Sequence, residues 1–274
     1  MRQPRNHLWA AFLIVAVFAA TVHAQAPTTA ATSRPAVVVT PPAANLFDIY
    51  LLMGQSNMVG RDTTTLAAQV DNPQILALDT DGRWVVARDP IHIKNARIDP
   101  GVGPGIPFAT EMRKQNPNRT IGLVPCAIGG TALARWVKGA DLYENAVARA
   151  KVAARAGAIK GVLWHQGESD TSSKANADAY EAKLVQMIAD LRSDLNLPNA
   201  PIVVGELGQF LSVDQYPYVK TVQDALKHVA MVVPQVGHAE SAGLGDKGDR
   251  LHFSAAAQVE FGARYAKAMQ KLQK

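Results

Sequence analysis

A single cysteine, Cys126, excludes an internal disulfide, so the fold must be held by its hydrophobic core. Basic runs are missing as well. The formal net charge is +5, from 28 Lys/Arg against 23 Asp/Glu, yet Arg2, Arg5 and Arg34 fall in the first 45 residues, which hold no acid. Removing those three from the 28 leaves 25 basic against 23 acidic side chains, which is no electrostatic footprint for nucleic acid. No internal repeat is present. No apolar run reaches the roughly 20 residues that a membrane-spanning helix needs.

What is there begins with a leader pattern. Arg2 and Arg5 precede a mostly apolar run over 8–20, and Val22-His-Ala24 ends in small residues. This reads as a signal peptide over 1–24, cleaved after Ala24. The expectation is export to the periplasm or the medium, with no stable membrane association after cleavage. No cysteine stands at the cleavage site to take a lipid. Residues 25–45 are rich in Ala, Pro and Thr, and read as a disordered spacer. Residues 46–274 are enough for one domain with one large core.

Within that domain, apolar β-branched runs alternate with helical patterns. Strands are expected at 47–53, 75–78, 120–125, 159–164, 202–206 and 229–233, and helices at 108–115, 142–156, 175–195, 215–228 and 255–272. Several strand candidates are apolar at successive positions, as in parallel strands buried on both faces. In the last helix Val259, Ala263, Ala266 and Met269 form one stripe, and Ser254 is placed to cap it. The fold class predicted is α/β, a three-layer α/β/α sandwich with a mainly parallel sheet. Such sheets bind ligands at the carboxyl ends of their strands, where Ser56, Gly129-Gly130, His165-Gln166 and Glu206 fall.

Gly54-Gln-Ser-Asn-Met58 follows the first strand, and Asp249-Arg-Leu-His252 precedes the last helix. A serine hydroxyl is a weak nucleophile until a base takes its proton, and the base needs a third group to fix its tautomer. Ser56, His252 and Asp249 supply these three roles, with Asp and His three positions apart, which places both on one turn. A lipase-type elbow is excluded, because G-x-S-x-G needs a small residue where Met58 stands.

The motifs Gly54-Gln-Ser-Asn-Met58, Gly103-Pro-Gly105, Val124-Pro-Cys-Ala-Ile-Gly-Gly-Thr131, Trp164-His-Gln-Gly-Glu-Ser-Asp170 and Asp249-x-x-His252 occur in this order. In them the chain resembles the sialate O-acetylesterase-like branch of the SGNH hydrolases, and looks like a member of carbohydrate esterase family 6. The resemblance covers the domain from about Phe47 onward, and implies a flavodoxin-like sandwich that hydrolyses acetyl esters on sugar hydroxyls without a cofactor. For the oxyanion the candidate donors are the Ser56 N–H, a glycine N–H (Gly130, with Gly129 the alternative) and the Gln166 side-chain amide. The wider superfamily uses an Asn in the last role, and this branch resembles a variant with Gln.

Other residues take supporting roles. Gln55, Asn57, Gly129, Glu168 and Gly103 are assigned to loop support or to the pocket. His165 with Glu168 mimics a metal site, but lacks the paired His of helical i, i+4 spacing, so no metal is expected. Trp136 is a core tryptophan or a sugar platform, and Glu206 a structural or pocket-lining group. The second His/acid pair, His238-Ala-Glu240, ranks below His252 as a base. The expected partner is an acetylated oligo- or polysaccharide. The rivals are a sialic acid ester, a short-chain ester, and a carbohydrate-binding protein without catalysis. Oligomeric state has no signal in the sequence.

Overall fold

The computed structural model describes Met1 and residues 36–65, 70–94 and 99–274. The expected signal peptide over 1–24 and the first part of the expected spacer lie outside the described residues, apart from Met1. The chain divides into units 1–34 and 35–274, and the second is described below.

Seven strands form one sheet: β1 (Phe47–Gly54), β2 (Ile75–Leu78), β3 (Trp84–Val86), β4 (Thr120–Pro125), β5 (Ala158–His165), β6 (Ile202–Gly205) and β7 (Val236–Ala239). Their spatial order is β3-β2-β4-β1-β5-β6-β7, and all neighbours run parallel except β2 and β3. The helices are α1 (Ser56–Val59, one turn), α2 (Gly105–Gln115), α3 (Asp141–Ala153), α4 (Lys174–Asp194), α5 (Val219–Val232) and α6 (Ala255–Leu272).

The sequence of β1 explains why it is central. Ile49, Leu51 and Met53 pack into one core with α3, α4 and α5, while Tyr50 and Leu52 pack into the other with α2 and α6. A strand projects alternate side chains to opposite faces, so a run without polar interruptions belongs between two helical layers. Fully burying each such side chain contributes roughly 1.5–3 kcal/mol. The fold is thus the three-layer α/β sandwich that the alternation predicted. Because β1 pairs with β4 on one side and β5 on the other, its carboxyl end lies where the strand order reverses. That is where open parallel sheets hold their ligands.

Three expectations need correction. Residues 229–233 are not a strand: Val229 to Val232 complete α5, continuing the buried stripe Val222, Ala225, Leu226, Val229 at helical spacing. The strand lies at Val236–Ala239, where a short segment with Gly237 and His238 carries little β signal. The helix expected at 215–228 accordingly starts later, at Val219. The spacer is not unstructured to residue 45. Val38 bridges Val85 in antiparallel sense, with Val39 N–H donating to Trp84 O and Val86 N–H to Val37 O. Three consecutive valines supply the β-propensity that the surrounding prolines concealed. The three-residue β3 gave no signal of its own; it is reached through the turn Asp79–Arg83, where Asp79 Oδ1 accepts from the N–H groups of Asp81 and Arg83.

Candidate active site

Gly54 ends β1 in a conformation that glycine alone permits. Its φ is +128°, and a Cβ there would stand 2.0 Å from the His165 carbonyl oxygen. The Gln55 N–H then donates to that same oxygen at 2.8 Å, and α1 begins at Ser56. The nucleophile candidate is therefore pinned to the end of β5 as well as β1.

His252 arrives from the far end of the domain. Asp246 bridges Phe253, the Lys247 N–H donates to His252 O at 2.9 Å, and the Ser254 N–H to Gly245 O at 3.1 Å. Inside this narrow loop Asp246 Oδ1 accepts from the N–H groups of Gly248 (2.6 Å) and Arg250 (3.1 Å). Gly248 and Arg250 both have positive φ, at 106° and 54°. Ser254 then caps α6 by accepting from the Ala257 N–H, as its position suggested.

The three residues form one connected chain of hydrogen bonds. His252 Nε2 is 3.0 Å from Ser56 Oγ, and His252 Nδ1 is 2.8 Å from Asp249 Oδ2. Asp249 Oδ1 accepts from the N–H groups of His252 (2.8 Å) and Leu251 (3.0 Å). Burial raises the Asp249 carboxyl, but the His252 ring, these N–H groups and Lys247 outweigh it and hold it well below the ordinary carboxylate range. An ionised carboxylate only accepts, so Nδ1 carries the proton and Nε2 is left to accept the Ser56 hydroxyl. Such an arrangement can draw the serine proton onto an imidazole whose positive charge faces a carboxylate.

Asn57 joins the two halves of the site. Its Nδ2 donates to Leu251 O at 3.1 Å and to Glu168 Oε1 at 2.5 Å, while Oδ1 accepts from the Phe253 N–H at 3.1 Å. Glu168 is buried, with His165 Nε2 3.5 Å from Oε1. Burial pushes its carboxyl up, but His165 and Asn57 more than offset this, leaving it below its ordinary value. His165 is fully buried against Tyr265 and Phe261, with Nδ1 3.0 Å from the Tyr265 hydroxyl.

Of the anion donors, the N–H groups of Ser56 and Gly130 donate to no backbone acceptor among the described residues. Gly130 is exposed with φ of +71°, in a loop tied to the nucleophile turn by the Ile128 N–H donating to Gly54 O at 3.0 Å. Gln166 requires a correction. It is fully buried, and Nε2 lies 2.6 Å from Asp170 Oδ2, 2.9 Å from Thr131 O and 3.2 Å from Gln55 Oε1. Two amide protons already face three acceptors, so this side chain braces the loops and leaves no proton for an oxyanion.

The remaining nominations resolve into structure. A Cβ on Gly103 would meet Met58 O at 2.8 Å, so Gly103 lets the 101–105 loop pack under α1. Gly129 is half-buried beside Gly130. Trp136 is core: fully buried, donating to Thr131 Oγ1 at 3.1 Å, edge-on to Trp164. Glu206 ties β6 to Lys227 (2.7 Å) and to the Ser241 N–H (2.8 Å). His238 stands on β7, at the sheet's edge. The Cys126 thiol is buried and pushed up to about 11. Tyr216 was not foreseen. It is half-buried, and burial together with the carboxylates of Glu168 and Asp249 pushes its hydroxyl up. It belongs to the segment before α5, in Tyr216-Pro-Tyr218, which carries no sequence signal for a site.

A three-layer sandwich with a serine, a histidine and an aspartate linked at its switch point is an arrangement that serine hydrolases use. Residues 46–271 match the family model described as "Carbohydrate esterase, sialic acid-specific acetylesterase". The chain belongs to this family, and is an enzyme of the acetylesterase class. A probable carbohydrate esterase of Arabidopsis thaliana, At4g34215, is 36% identical over 241 residues, spanning 80% of this chain and 89% of the relative. The X-ray structure of that protein superposes with a TM-score of 0.74 at 34% identity, over 84% of this chain and 99% of the other. NanS shares the fold at a TM-score of 0.66 and 17% identity, over 85% of this chain and 99% of its own. So does a carbohydrate acetylesterase of Xanthomonas citri, XAC1771, at 0.61 and 21%, over 82% of this chain and 56% of its own.

Proposed function

We propose that this protein is an exported serine esterase that hydrolyses O-acetyl esters on carbohydrate, acetylxylan or a related acetylated glycan. The observation that carries the chemistry is the unbroken link Ser56 Oγ, His252, Asp249 at the carboxyl end of β1. Ser56 Oγ attacks the acetyl carbonyl carbon while its proton passes to His252 Nε2. The negative charge develops on the carbonyl oxygen, within the reading that the Ser56 and Gly130 N–H groups receive it. As the tetrahedral species collapses, the C–O bond to the sugar breaks and Nε2–H protonates the sugar oxygen. Water, deprotonated by Nε2, then cleaves the acetyl-serine, giving acetate and free Ser56. Export rests on the pattern at 1–24 alone.

The Asp249 side chain is 35% exposed and that of His252 13%, so the linked residues open to solvent on one side, where an acetyl group standing off a glycan can reach them. A sialate O-acetylester is the second reading, favoured by the wording of the family description. The deciding experiment is acetate release from a panel of acetylated xylan, xylo-oligosaccharides, O-acetylated sialic acid and a simple aryl acetate, with Ser56→Ala and His252→Ala beside wild type. Turnover should fall by about 10⁴-fold or more in both variants. Undiminished turnover in either would overturn the site assignment.

A further inference from the structure

Lys247 stands two residues before Asp249, and its Nζ lies 3.2 Å from Asp249 Oδ2. That oxygen is the one that accepts from His252 Nδ1. The other oxygen, Oδ1, is taken by the N–H groups of His252 and Leu251. The carboxylate is therefore shared between a permanent cation and the imidazole. Lys247 is itself held in place, because its own N–H donates to His252 O across the loop. Its side chain is 30% exposed, less than the other lysines that form ion pairs in this chain.

On the proposed reading of the site, we propose that Lys247 is a positioning residue acting through Asp249: it fixes the carboxylate against His252 and offsets part of its charge, so that the base stays free at lower pH than Asp249 alone would permit. The sign follows from electrostatics. Asp249 stabilises the protonated imidazole, and a cation on the same oxygen opposes that stabilisation. Two positive charges that share one oxygen partner repel each other across it, so the cation works against protonation of the ring.

Lys247 also acts on Asp62, whose carboxylate accepts from the Ala255 N–H at 2.8 Å; the other charged groups around His252 are held as follows. Within the loop, Asp246 is occupied by the N–H groups of Gly248 and Arg250, and the Arg250 side chain is exposed. From the loop after β5, Glu168 and His165 act behind Asn57. From the segment before α5 comes the Tyr216 hydroxyl. Lys247 is the cation whose ion pair is with Asp249 itself.

The test is the pH profile of kcat/KM on an aryl acetate for wild type, Lys247→Met and Lys247→Arg, with the His252 imidazole titration followed by NMR in the same three proteins. Expected is an acid limb displaced to higher pH in Lys247→Met together with a lower plateau at high pH, and both restored in Lys247→Arg. The imidazole titration should move by the same amount. An unmoved limb with turnover reduced equally at every pH would assign Lys247 a merely structural role and overturn the proposal. If wild type turns over no ester, the proposed function fails separately, and the NMR titration still decides: an unshifted imidazole in Lys247→Met overturns the inference.

Discussion

Asn57 grips the backbone on both sides of His252, donating to the carbonyl before it and accepting from the N–H after it, each at 3.1 Å. The residue next to the proposed nucleophile therefore sets where the proposed base stands. The third contact, to buried Glu168, anchors Asn57 in turn to the loop after β5. Ser56 and His252 are 196 residues apart in sequence, and their 3.0 Å approach depends on this side chain as much as on their own bond.

Replacing it should therefore affect both turnover and stability. Asn57→Ala would leave the Phe253 N–H and Glu168 Oε1 without this partner in a buried setting, at a cost of about 1–3 kcal/mol. We expect kcat to fall roughly 10- to 100-fold, since small displacements of reacting groups carry penalties of that order. Denaturant unfolding and aryl acetate kinetics on one preparation check this. A variant with unaltered midpoint and kcat would show that His252 is positioned without Asn57.

Gln166 offers a test between bracing and catalysis. In Gln166→Leu, Thr131 O, Asp170 Oδ2 and the Tyr180 hydroxyl each lose a buried partner. Stability should drop by about 2–4 kcal/mol, with loss of activity following the loss of folded protein. A direct oxyanion donor would behave otherwise, losing about 10²–10³ in kcat with the unfolding midpoint intact. That second pattern would return Gln166 to the anion site.

Much of this was legible in the sequence, for identifiable reasons. β1, β4 and β5 carry apolar runs at 49–53, 121–125 and 161–164, where both faces are covered, and Ser56 follows β1 at the switch point. Asp249 and His252 share one turn, so their spacing survives folding. β7 and β3 were obscured because short edge strands need only a few pairing residues. The Gln166 error has a different origin. A side-chain amide beside a predicted site reads as a donor, and only the packing around it reveals that Asp170 and Thr131 already hold its protons. Lys247 has no local pattern at all; the hairpin loop brings it to the site.

Glu206 should separate fold from chemistry. Burial raises its carboxyl, but Lys227 and Ser241 outweigh that and leave it below its ordinary value. A depressed carboxyl stabilises the fold above its unfolded value, about 4.3, and that stabilisation is lost as pH falls through the folded value. Glu206→Gln should therefore be less stable than wild type above pH 5, by about 1–3 kcal/mol given that Lys227 is half exposed. The gap should narrow toward pH 3. Thermal unfolding from pH 3 to 7 tests this, and kcat/KM at pH 7 should stay within about twofold because Glu206 touches none of the three site residues. A gap that widens on acidification would contradict the assignment of the ion pair.

Asp249→Asn probes the tautomer. In wild type the carboxylate can only accept, which forces the proton onto Nδ1 and leaves Nε2 facing Ser56. An amide in that place can turn its NH₂ toward Nδ1, and the proton then moves to Nε2, where it blocks acceptance from the serine. Turnover should fall by about 10⁴-fold at neutral pH. The fold should persist, since the amide oxygen still accepts from the N–H groups of His252 and Leu251 at a site that is partly exposed. Asp249→Ala removes that wrong donor along with the acceptor, so it should retain more activity than Asp249→Asn despite the smaller side chain. Kinetics of both variants with matched unfolding midpoints make the comparison. Equal losses would mean that Asp249 acts through its charge alone, and that the proton on His252 is placed by other contacts.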